Sequence, residues 1–133
     1  MSKSPSTWRR LIGFCAAMSA ACALQPVSAH HSFAMYDNGK QVTIEGVVKE
    51  LQWTNPHVWI QVLVPNAKGG QDEWSVECTS VNFMVRRGFS KTTIKAGDKI
   101  SVSLTPLKDG SHGGAFKGVN SLNGAPLQLE SED

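Results

Sequence analysis

The sequence is poor in cysteine, in long apolar runs and in clustered charge, and each shortage removes a class of protein. Three cysteines occur in 133 residues, and Cys15 and Cys22 both lie in an N-terminal segment that reads as a leader. Cys78 alone follows that segment, so no intramolecular disulfide can staple the mature domain even in an oxidising compartment. The longest uncharged apolar stretch, residues 11–24, is alanine-rich and falls short of the ~20 residues a membrane helix needs. No glycine-rich phosphate cradle, no serine in a nucleophile elbow and no HExxH pair occurs. The chain is therefore expected not to be an enzyme.

What is present begins with an address. Lys3, Arg9 and Arg10 precede the apolar stretch, and Val27-Ser28-Ala29 places small residues where a signal peptidase reads. Residues 1–29 are expected to be a cleaved signal peptide, which makes the protein periplasmic and leaves it without a membrane span. Ala21-Cys22-Ala23 is a competing cleavage site. Ser19 stands where a lipoprotein signal carries an aliphatic residue, and Gly13 interrupts the pattern that twin-arginine export would follow. Cleavage after Ala29 removes three of the 13 basic residues, so ten face 11 acidic ones and the formal net charge falls from +2 to −1. The basic balance belongs to the leader, and no electrostatic case for nucleic acid remains.

The mature chain reads as short strands broken by turn chemistry. Residues 42–53 are rich in β-branched side chains, with Val42, Ile44, Gly46 and Val48 on one face. Asn55-Pro56 turns the chain into residues 57–64, where Val58, Ile60, Val62 and Val64 share a face. Residues 73–79 turn Trp74, Val76 and Cys78 inward, and Ser75 and Glu77 outward. Cys78 is then a small core residue and not a nucleophile. Glu45, Glu50, Glu73 and Glu77 are expected to be solvent-facing strand charges.

Alternation stops after Ser80, a good helix N-cap, and Gly88 suits the stop of a short helix. Strands resume at residues 99–105 and 115–120, and residues 126–129 are a candidate short edge. Three strands, one helix and two further strands are the order of an OB-like barrel of five to six strands, mainly β. The domain runs over residues 42–129, between an N-terminal arm at 30–41 and an acidic tail at 130–133.

The histidines carry the functional question. Removal of the leader makes His30 the first residue, with a free amine beside its imidazole, and puts His31 second. Amine, amide and imidazole nitrogens suit Cu(II) in tetragonal geometry, with Zn(II) the weaker candidate. An OB-like barrel would carry the loop ending in His57 and the loop containing His112 to one rim. The metal-ligand candidates are therefore His30, His31 and His57, with His112 the poorest. Trp53, Asn55 and Trp59 form a candidate ligand or partner face. The plain alternatives are an exposed N-terminal arm, a turn-ending His57 and a loop histidine at 112. Arg86-Arg87 is explained by the helix dipole at a C-terminus. Two functions follow: a binding module holding copper, or a metal-free structural or interaction module docking on an envelope protein.

At HHSFAMYD, QWTNPHVWIQV, EWSVE and RRGFSKTTIKAGDKISVSLTPLKDG the chain resembles a family of small bacterial exported proteins of unknown function with an HHSF start and a WTNPH turn. The resemblance runs from about His30 to Gly118. It implies a periplasmic, signal-bearing single domain, and it brings no activity, cofactor or partner.

Overall fold

The computed structural model describes residues 33–129. Five strands close into one barrel: β1 (Val42–Gln52), β2 (Trp59–Pro65), β3 (Gln71–Glu77), β4 (Lys99–Pro106) and β5 (Gly113–Leu122). A short helix α1 (Val81–Arg86) lies between β3 and β4. Round the barrel the order is β1-β2-β3-β5-β4, closing back to β1. Only β3 and β5 run parallel, through the pairs Ser75↔Gly113, Val76↔Gly114 and Glu77↔Ala115. This is the OB-like barrel that the element order predicts, with five strands. Residues 126–129 form no strand, and Leu127 and Leu129 instead pack against the core as half-buried side chains.

Alternation explains the interior. Val58, Ile60, Val62, Val76, Val102 and Leu104 are fully buried, each one residue out of step with an outward neighbour. Burying each contributes roughly 1.5–3 kcal/mol. In β1 the inward set starts at Ile44 and Val48, then a register shift between Val48 and Glu50 changes its parity. Leu51 and Trp53, not Glu50 and Gln52, then face the core. One extra residue in a bulge does this without breaking the strand.

Helix α1 contributes Met84 to the core, followed by Phe89 and Ile94. Gly88, at φ 83°, supplies the left-handed stop that a side chain would resist. Ser80 occupies the N-cap position, but its hydroxyl makes no capping bond. The Val81 N–H donates instead to Asn55 Oδ1 at 3.1 Å, so the loop after β1 caps the helix. Among the described residues no helix is long and apolar enough to cross a membrane.

Candidate functional site

The site grows from the outward face of β3. Glu77 pairs across the sheet with Trp59 on one side and Ala115 on the other. His57, two residues before Trp59, shares that outward face, and its Nδ1 pairs with Glu77 Oε1. The second oxygen, Oε2, accepts a short hydrogen bond from the hydroxyl of Tyr36, 41 positions earlier in the chain. Tyr36 is the single tyrosine of the protein.

Tyr36 reaches Glu77 because the arm is fastened to the turn after β4. A 3-10 turn, Phe33–Met35, leads into an isolated bridge between Tyr36 and Leu107. The Asp37 N–H donates to the Pro106 carbonyl at 2.9 Å, and the Lys108 N–H donates to the Met35 carbonyl at 3.0 Å. The tyrosine is buried at 7% exposure. Burial first, then the hydrogen bond and charge of Glu77, hold its hydroxyl pKa above the ordinary tyrosine value.

Glu77 corrects one sequence expectation. Its side chain faces outward, yet only 11% of it is exposed, because the arm and His57 cover it. Glu73, two residues earlier on the same face, keeps the expected character: it is 45% exposed and pairs with Lys49 at 2.6 Å. Strand parity tells outside from inside and says nothing about what lies over the outside.

His112 does not join His57. It stacks on Trp74, with ring centroids 5.1 Å apart and 19° between planes, and its Nε2 lies 3.7 Å from Asp72 Oδ2. Asp72 and Trp74 have the opposite strand parity to Glu77, so the two histidines lie against different faces of β3. Five residues separate the carboxylates, roughly 16 Å along a strand. The expectation of one rim shared by both histidines is thus replaced by two separate carboxylate–histidine pairs. Among the described residues no three histidine, cysteine, aspartate or glutamate side chains stand close enough to hold a metal. His30 and His31 lie outside the described residues.

The remaining candidates divide. Trp53 packs against the core, Asn55 caps α1, and Trp59 is half-buried beside the Glu77 cluster. Cys78 is buried, and burial pushes its thiol pKa up to about 12, so it is inert. An open groove of about 380 Å³ lies elsewhere, along Glu45, Gly46, Val47, Pro65 and Lys99, and contains none of the predicted residues.

Sequence reasoning missed Tyr36 and Glu77. The available signal for Tyr36 was a lone tyrosine within the HHSFAMYD arm; for Glu77 there was none beyond its parity with Trp59.

The family model of DUF6152, a family of unknown function, matches residues 18–117. The chain belongs to this family. Every residue of both histidine pairs falls inside the DUF6152 match. No curated protein matches the chain.

Proposed function

We propose that this DUF6152 protein is a small exported binding module that holds copper through His30 and His31, with His57 as the third ligand. Zinc is the weaker candidate. The observation that supports this most is the carboxylate behind His57. Histidines that ligate metals almost always hand their other ring nitrogen to a carboxylate, carbonyl or water. A turn-ending histidine has no need of a half-buried glutamate. Periplasmic location and loss of residues 1–29 belong to the same reading, since the His30 amine exists only after cleavage at Ala29. The module is read as non-enzymatic from the motifs that its sequence lacks, and a buried Cys78 with a raised thiol pKa accords with that reading.

Intact mass of protein exported by a native-like host, followed by Cu(II) and Zn(II) titration, tests this. A mass beginning at His30 and one tight copper equivalent are expected. Replacing both arm histidines (His30→Ser, His31→Ser) should abolish that equivalent, and His57→Ala should weaken it roughly 10- to 100-fold. A start at Leu24, or weak and unselective binding, would sink the proposal.

The second reading is a metal-free interaction module of the cell envelope. It is favoured by Phe83 and Val85 on α1, which are 51% and 44% exposed, more open than the half-buried Trp59. Partner capture that survives His30→Ser and fails on Phe83→Ser would decide for it.

A further inference from the structure

Glu77 stands between two segments that are 21 positions apart at their contact residues, Tyr36 and His57. His57 arrives from the loop before β2 and Tyr36 from the N-terminal arm, and each takes one of its oxygens. An ionised carboxylate only accepts, so the imidazole nitrogen facing it carries the hydrogen. A neutral His57 is thereby fixed as the Nδ1–H tautomer, with the lone pair on Nε2 at the far side of the ring. The other oxygen accepts from the hydroxyl of Tyr36, whose chain neighbours Asp37 and Met35 are hydrogen-bonded to Pro106 at the end of β4 and to Lys108 just after it.

We propose that Glu77 is the positioning residue of this site. It fixes the orientation of the His57 ring and its Nδ1–H tautomer, and it ties that orientation to the docking of the arm through Tyr36. A lone pair, unlike an N–H, selects a cation over an anion, and a neutral imidazole nitrogen suits Cu(II) or Zn(II). The inference rests on the reading of His57 as ligand-facing, but its structural half is measurable without metal.

The experiment is ¹⁵N NMR of the imidazoles and amide exchange of the arm, on metal-free protein as the host produces it, in mildly alkaline buffer. The native protein should show His57 as the Nδ1–H tautomer alone. Glu77→Gln presents one acceptor and one donor group, so the tautomer should become mixed or reversed. Exchange at the Asp37 and Lys108 amides should also rise about tenfold. Tyr36→Phe should speed that exchange and leave the tautomer native. A purely structural Glu77 would alter exchange without moving the ring nitrogens.

An Nε2–H tautomer in the native protein, or an unchanged tautomer in Glu77→Gln, overturns the inference. If Glu77→Gln does not fold, the native tautomer and Tyr36→Phe still decide: unaltered exchange at Asp37 and Lys108 in Tyr36→Phe overturns the link to the arm. Adding Zn(II), then Cu(II), to the same sample reads the other half. Native positioning with no response of the His57 signals to either ion sinks the metal reading and leaves the role of Glu77 standing.

Discussion

Strand β3 holds a carboxylate facing a histidine near each of its ends, and the two pairs differ in everything except composition. At Glu77 the carboxylate is 11% exposed, its histidine 31%, and Tyr36 takes the second oxygen. At Asp72 the corresponding exposures are 36% and 47%, and the gap is 3.7 Å. The second oxygen of Asp72 accepts from the Asn66 side chain at 2.9 Å, which closes the adjacent hairpin loop. Exposed pairs at such distances are screened by water and contribute ~0–1 kcal/mol. A covered carboxylate with two donors forfeits much more when disturbed, because each stranded donor keeps its desolvation cost. What makes a site here is the cover and the third partner, not the pairing of Asp or Glu with His.

The largest expected effect strikes both ends together. They hang on the parallel pairing of β3 with β5, at whose centre Val76 faces Gly114. A Cβ at Gly114 would lie 2.2 Å from the Thr105 carbonyl oxygen and 2.5 Å from Leu104 Cδ1. Backbone cannot yield as a flexible side chain does, so Gly114→Val should cost about 3 kcal/mol or more. That corresponds to a fall of roughly 15 °C in Tm by calorimetry. A fall of only a few degrees would mean that β5 can shift away from Thr105 of β4 without loss of either pair.

Next come the carboxylates compared directly. Glu77→Ala should destabilise by about 2–3 kcal/mol, since Tyr36 and His57 both lose their acceptor under cover. Asp72→Ala should cost under about 1 kcal/mol, from the Asn66 bond and a weak pair. Equal losses in urea titrations would erase the distinction drawn above.

A pH dependence sharpens the same contrast. The Tyr36 proton is held more tightly in the fold than in the unfolded chain, where it leaves near pH ~10. Its contribution is therefore complete below about pH 10 and is lost as pH rises from there toward the folded value. Cys78, raised to about 12, is lost over an overlapping alkaline range, so the readout is a difference between two proteins. Tyr36→Phe should start about 1.5 kcal/mol less stable at neutral pH and lose less between pH 9 and 11, a window about the ordinary tyrosine value. Parallel curves for the two proteins would show that Tyr36 does not carry the alkaline loss.

The barrel was legible in the sequence because its signals are local. Period-two alternation in residues 57–64, the turn at Asn55-Pro56, and one interruption between Ser80 and Gly88 suffice to order five strands and a helix. The parity change in β1 was not legible, since a bulge leaves no residue type behind to mark it. Nor was the transfer of the helix cap from Ser80 to Asn55, a contact across 26 positions. The site failed for the same reason on a larger scale. His57 could be named from its type and loop, whereas the cover on Glu77 comes from an arm 41 positions away that periodicity does not describe. Residue type finds candidates; only the closed chain shows which of them are covered.

The smallest effect completes the comparison. His112 touches Trp74 by stacking and Asp72 only across 3.7 Å, while its backbone carbonyl accepts from the Ser75 N–H at 3.1 Å. That last bond belongs to the main chain and survives any side-chain replacement. His112→Ala should therefore change stability by about 0.5 kcal/mol, the weight of an exposed ring contact and a screened pair. His57→Ala should cost about 1–3 kcal/mol, because it leaves one Glu77 oxygen without its partner under the arm. Chemical denaturation of the two variants side by side reads this ratio. A His112→Ala loss equal to that of His57→Ala would place a second built site at the hairpin end, and the distinction between covered and open pairs would fail.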